Sequence, residues 1–264
     1  MTNGPQNMDG NGHVYDAGFF DYIEGGSRSS ADSTVAVLRP LLAEGSTVLD
    51  VGCGQGVWAR RFAEEPNVAE AVGVDGDYVD RQALAISPDA FVAHDLTTSL
   101  DLGRRFTLAL SLEVGEHLPP AASATLVETL VGHADIVMFS AAVPGQGGEH
   151  HINERPLEDW RKEFARHGYV AFDFVRPRLA GQKHVEPWYR YNILLYVKED
   201  RSPDLPQEVQ ATRLAPNAPV PQAGSLLWRL RCALIRPLPR SLVDRLALVK
   251  HAFVRATKVQ RSAQ

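Results

Sequence analysis

Residues 48–56 read Val-Leu-Asp-Val-Gly-Cys-Gly-Gln-Gly, an apolar run that ends in an acid and then places glycines at 52, 54 and 56. A helical stretch, Val57 to Glu65, follows at once. Glycines at alternate positions let the backbone turn sharply after a strand and approach a ligand with no side chain between them. A strand before the glycines and a helix after them form the first unit of a layered α/β fold. The spacing is G-x-G-x-G and not the G-x-G-x-x-G of dinucleotide-binding loops. Asp50, at the strand end, can face a cationic amino group.

Two further strand-then-acid markers follow in order. Ala71-Val-Gly-Val-Asp75 is a second short apolar run, and its acid lies about 20 residues past the glycines, the distance at which a carboxylate accepts ribose hydroxyls. Phe91-Val-Ala-His-Asp95 is a third. With these three markers the chain resembles the class I S-adenosylmethionine (SAM)-dependent methyltransferases over roughly residues 30–200. The resemblance implies that the glycine loop (Asp50, Gly52, Cys53, Gly54 and Gly56) holds the methionine end of SAM. It implies that Asp75 and Gly76 hold the ribose, that Asp95 and Leu96 meet the adenine, and that Leu112 and Glu113 lie beside the sulfonium. Read without the resemblance, the same residues are turn glycines and strand-end caps, and Cys53 is a small packing residue.

Composition agrees with one sizeable core plus extensions: 264 residues with 44% hydrophobic side chains. The two cysteines, Cys53 and Cys232, are far apart and suggest no disulfide framework, which fits a reducing, cytoplasmic setting. The amino-terminal segment shows no apolar signal-peptide core, and no uncharged apolar run approaches the ~18 residues of a membrane span. Charge is uneven. From Gly224 onward nine Lys or Arg face one acid, a local +8 against a total of −5, so the rest of the chain carries −13. An acidic body argues against a nucleic-acid groove, and no nucleic-acid partner is expected.

The chain divides into an N-terminal segment (1–29), a SAM-binding domain (30–200), a Pro-rich linker (201–224) and a basic helical tail (225–264). Residues 1–12 are Gly/Asn-rich, which predicts disorder. Tyr15, Phe19, Phe20 and Tyr22 suit either a lid over the cofactor cleft or core packing, and Tyr22 is placed near the acceptor. A helix is expected from about Ser30 to Leu42. From Thr47 to Lys198, strands alternate with helices, which predicts an α/β, Rossmann-like, seven-stranded, mostly parallel sheet with helices on both faces. The last two apolar runs, Val170–Arg176 and Tyr191–Val197, have a gap with Pro177, Gly181 and Pro187 between them. That gap shows no helical character, so the runs read as an antiparallel terminal hairpin.

Ligands of open α/β sheets sit outside the carboxyl ends of the strands, which leaves three loops for the acceptor. After strand four, Glu113 and His117 are four apart, one face of a helical turn; His117 is either a base or a loop cap. After strand five the chain reads Pro-Gly-Gln-Gly-Gly-Glu-His-His-Ile-Asn-Glu-Arg-Pro, more polar chemistry than a connection needs. His151 is the preferred general base, oriented by Asn153 or Glu154, and His150, Asn153 and Glu154 are placed at the acceptor. A metal reading would use His150, His151 and Glu154, but adjacent residues of an extended segment point apart, so no metal is assigned. Between the last two strands, Trp188 and Tyr189 are either pocket walls or edge packing.

Histidines at the acceptor side favour O-methylation over N-methylation, because a hydroxyl must lose its proton and a neutral amine need not. The loop residues 142–155 and the Trp-Tyr-Arg-Tyr-Asn run resemble a bacterial subgroup acting on sugars, glycans or secondary metabolites, which implies a small-molecule acceptor. A non-catalytic SAM-binding sensor or scaffold is the alternative, and an NAD-dependent enzyme is disfavoured by the glycine spacing. In the tail, Leu227, Leu230 and Leu234 form one stripe, and Leu242, Leu246, Val249 and Phe253 form a second in a helix capped by Ser241. These helices either dock on the body or a second subunit, or contact an anionic membrane surface peripherally.

Overall fold

The computed structural model describes residues 17–239, 241–243 and 245, with the side chains of 17–25 excepted. Its centre is a seven-stranded sheet in the order β3-β2-β1-β4-β5-β7-β6. The strands are β1 (Ser46–Val51), β2 (Val68–Asp75), β3 (Phe91–Ala93), β4 (Leu108–Leu112), β5 (Ile136–Ser140), β6 (Tyr169–Phe172) and β7 (Leu194–Lys198). The first five run parallel, and β7 lies antiparallel between β5 and β6. Neighbours β1 and β4 pair directly, so the strand order reverses there and opens a crevice at their carboxyl ends.

The alternation within each strand sets the two layers. Val48 of β1 and Leu108 and Leu110 of β4 point to one face, packed with Val35 and Leu38 of α1 (Ala17–Leu38), Trp58 and Phe62 of α2 (Val57–Ala63), and Leu179 of α5 (Val175–Leu179). Leu49, Val51 and Ala109 point to the other, under Leu126 and Leu130 of α3 (Ser123–His133) and Trp160 and Phe164 of α4 (Leu157–Arg166). Each fully buried Leu or Phe of this kind stabilises by roughly 1.5–3 kcal/mol through area removed from water. Phe164 also stacks on Tyr196 with ring centroids 3.9 Å apart, tying α4 to β7.

Three expectations are corrected. The first helix begins at Ala17 and not near Ser30, so the aromatic segment is part of it. The connection between β6 and β7 is helical after all: α5 and α6 (Pro187–Asn192) fill it. Pro187 stands in the first turn of α6, where its missing N–H costs no hydrogen bond, and so opens a helix instead of breaking one. β6 and β7 still pair antiparallel, but through this helical connection. The turn after β4 is also not a helix. His117 N–H donates to the Val114 carbonyl in a short turn.

The Pro-rich stretch lies along the body. It contains α7 (Gln207–Gln210), the Leu214 amide donates to the Ala171 carbonyl, and Arg161 reaches the carbonyls of Ala215, Pro216 and Ala218. Beyond it α8 (Leu226–Ile235) is capped by Ser225, whose hydroxyl accepts from the Trp228 amide. Leu246, Val249 and Phe253 of the second expected tail helix lie outside the described residues, as does Tyr15. The side chains of Phe19, Phe20 and Tyr22 do so too, although their backbone belongs to α1.

Candidate active site

The carboxyl ends of β1, β2, β4 and β5 meet at one edge of the sheet. At β1 the chain passes Asp50 and turns through Gly52 (φ 85°) and Gly56 (φ 82°), backbone that L-residues with side chains rarely adopt. A Cβ added at Gly52 would overlap Val114 of the β4 loop, so the glycine lets the two loops touch across the crevice. The Gly52 and Cys53 amides both donate to the Val74 carbonyl, which fixes the turn to β2. Cys53 is buried with Val79 and Phe91, and burial pushes its thiol well up, so it packs and does not react.

Asp50 and Asp75 are 3% and 5% exposed, and among the described residues neither is ion-paired to a cation. Asp50 keeps one carboxylate oxygen without a partner. Burial, and then the charge of Asp75, push its carboxyl up to about 8, against a smaller opposing pull from an Ala59 backbone hydrogen bond. Asp75 is also raised by burial, although the Tyr78 hydroxyl (2.6 Å) and the Gly54 and Gly76 amides (2.7 Å each) donate to it. A buried acid pair beside a glycine cradle is electrostatically incomplete, and a ligand bringing an ammonium group and donor hydroxyls completes it. The residues therefore fit SAM. Asp95 is exposed, its carboxylate capping the Thr97 amide and hydroxyl; Leu96 is half-buried, and Leu112 is buried at the end of β4.

The other half of the site joins the β4 and β5 loops. The Glu116 carbonyl accepts both the Ile152 and Asn153 amides, which brings His151 beside His117 with ring centroids 5.0 Å apart and planes at 87°. His151 Nδ1 is 2.9 Å from Glu154 Oε1. Glu154 also accepts the Gly145 and Gly147 amides, so it pins the glycine-rich loop while orienting the imidazole. Burial raises the Glu154 carboxyl, but the His151 ring and those amides outweigh this and hold it below the usual range. The orienting residue is Glu154. Asn153 is buried and turned away, donating to the Gly115 carbonyl and the Ser123 hydroxyl. His150 takes a left-handed backbone (φ 58°).

Tyr189 is buried, its ring edge-on to Trp58 and its hydroxyl 3.2 Å from Ser27, so it packs; Trp188 is half-buried beside it. Four residues escaped the sequence reading. Gln146 donates to Glu113 (2.6 Å), and Asn192 bridges Gln146 (2.8 Å) and Glu113 (3.4 Å). Glu116 and Tyr78 are the others. For Glu116 the signal was present, because the Glu-x-x-Glu-His run of residues 113–117 carries three potential ligands in one turn.

The sequence profile of a family described as "Methyltransferase domain" matches residues 25–172. Among solved structures, the sugar N-methyltransferase KedS8 from Streptoalloteichus sp ATCC 53650 is 18% identical with a TM-score of 0.53, covering 75% of this chain and 98% of that one. This likeness is one of fold. Magnesium protoporphyrin IX methyltransferase (ChlM) from Synechocystis PCC 6803, solved with bound SAM, is 21% identical with a TM-score of 0.46, over 70% of this chain and 86% of that one. Streptomyces venezuelae DesVI is 21% identical with a TM-score of 0.41, over 52% of this chain and 62% of that one, so less than two thirds of its length is spanned. No curated protein sequence matches the chain.

Proposed function

The chain belongs to the methyltransferase-domain family, and from that premise we propose that it is a SAM-dependent enzyme that methylates an oxygen of a small polar acceptor such as a sugar, glycan precursor or secondary metabolite. The observation that supports an oxygen acceptor is the His117–His151 cluster, held by Glu116 and Glu154 and linked to the glycine cradle through Val114, whose side chain meets Gly52 and whose carbonyl accepts the His117 amide. Bound SAM supplies a methyl carbon on a sulfonium, which the acceptor's lone pair attacks as the carbon–sulfur bond breaks. Asp50 faces the ammonium end and Asp75 the ribose. The strand ends hold the two reactants in line, which is the largest contribution such a protein makes to a displacement. Activation of the acceptor hydroxyl, including loss of its proton, falls to the histidine cluster.

Incubating the full chain with SAM and a panel of hydroxyl- and amine-bearing acceptors tests this reading. Products carrying the methyl on oxygen are expected. Methylation confined to amines would contradict it.

The tail bears on location. In α8 the Arg231 guanidinium donates to the Gln146 carbonyl, so the helix docks on the active-site loop. Leu226, Leu227, Leu230 and Leu234 are 50–78% exposed. No described helix is long and apolar enough to cross a membrane. This leucine stripe, with the basic residues around it, is suited to peripheral contact with an anionic lipid surface. In a sedimentation assay with anionic vesicles, the full chain is expected to pellet and a chain ending near Asp200 to stay in solution. Equal pelleting of the two contradicts the idea.

A further inference from the structure

Glu116 is fully buried, and neither of its carboxylate oxygens makes a well-formed hydrogen bond among the described residues, although its own amide and that of Ala142 approach it. A buried carboxylate so poorly satisfied is unfavourable, so it calls for a proton or a cation. Its neighbours offer nitrogen ligands. One donor atom each from Glu116, His117 and His151 lies within 4.8 Å of the others. The two rings meet edge to face, nearly perpendicular. His151 holds Nδ1 against Glu154 at 2.9 Å, which leaves Nε2 as its ligating atom. A carboxylate behind an imidazole is the arrangement that fixes tautomer and orientation at metal centres. Glu113 sits beside Glu116 in a left-handed backbone (φ 57°), anchored by Gln146 and Asn192, and adds a second carboxylate.

We propose that Glu116, His117 and His151 bind a divalent first-row transition ion, with Glu113 as a fourth ligand or the group that holds a water on it. Bonds of about 2.0–2.2 Å to one ion place its donors about 3–3.5 Å apart, so a closing movement of about 1–2 Å completes the set. Mixed imidazole and carboxylate ligands favour ions from Mn²⁺ to Zn²⁺ over Mg²⁺, which takes oxygen ligands. The inference rests on the methyltransferase reading and specifies how the histidine cluster serves it: His151 is a ligand and not the base. An ion held by these residues would supply Lewis acidity, so that an acceptor hydroxyl bound to it would be acidified. Its proton passes to water, its lone pair forms the new oxygen–carbon bond, and the breaking carbon–sulfur bond leaves its pair on sulfur. The rival occupant of the same space is a proton shared between Glu113 and Glu116.

The test is titration of the full chain, stripped with chelator, with Mn²⁺ and then Zn²⁺ alone, followed by calorimetry and thermal melting. One ion per chain is expected. Glu116→Gln and His117→Ala should each weaken binding at least about tenfold, and Glu154→Gln by about 10- to 100-fold. Glu116→Gln removes a buried charge, so its ion-free form should melt no lower than the wild type. The ion should raise the melting temperature of the wild type and not of this variant. A wild type that binds no more ion than Glu116→Gln overturns the proposal in favour of the shared proton. SAM titrated into the same samples keeps the two readings apart: SAM binding without ion binding overturns this inference and leaves the methyltransferase reading standing.

Discussion

Replacing His151 with Ala should lower turnover by about 10²- to 10⁴-fold while leaving SAM affinity nearly unchanged. The separation follows from geometry. His151 belongs to the β5 loop and meets Glu154 and His117, whereas the cofactor cradle is built from the ends of β1 and β2. On the proposed reading, loss of the imidazole removes a ligand of the ion that activates the acceptor oxygen. Glu154→Gln should produce a smaller loss, because the ring remains and only its orientation is relaxed. Steady-state and single-turnover kinetics with a methylated product as readout check both. Turnover unchanged in His151→Ala would remove the β5 loop from the chemistry.

Asp50→Asn should have opposite effects on stability and on cofactor binding. The Asp50 carboxyl is pushed up to about 8 in the folded chain, above its ordinary value of 3.8. The folded state therefore holds this proton over a pH range in which the unfolded chain has released it. The resulting stability is fully present below pH 3.8 and is lost as pH rises through about 8. Without ligand, the Asn variant should lose this part of the decline and melt higher than the wild type at pH 8. SAM affinity should fall by about 10- to 100-fold, since a charge-assisted hydrogen bond contributes about 1.5–3 kcal/mol. For the wild type, binding an ammonium favours ionised Asp50, so affinity should rise between about pH 6 and 8 with release of a proton. Calorimetry in buffers of different ionisation enthalpy reads that release directly. An Asn variant that binds SAM as tightly as the wild type would show that Asp50 faces no cation.

Much of the fold was legible because the glycine loop needs a strand before it and a helix after it, and the acids at 75 and 95 repeat that grammar. The errors have local causes. The helix expected from about Ser30 starts at Ala17, so α1 runs through the Gly25-Gly26 pair. A Cβ at Gly26 would overlap the Glu186 side chain, so the glycine is there for close packing, a tertiary reason that propensity does not carry. Pro187 has the same lesson, since its position at the start of α6 matters more than its identity. At the site, His151 and Glu154 were visible as polar residues of a glycine-rich loop. Gln146 and Asn192 were not, because their role is to meet Glu113 from segments far away in sequence. Asn153 illustrates the converse, a polar loop residue whose partners turn out to be a carbonyl and a hydroxyl of the scaffold.

The measurement that tests the central claim most directly is calorimetric titration of the full chain with SAM and, separately, with NAD. Binding of one SAM per chain and none of NAD is the predicted result, because on the proposed reading the buried acids Asp50 and Asp75 meet an ammonium and a ribose. Binding of NAD in place of SAM would contradict the account at its root.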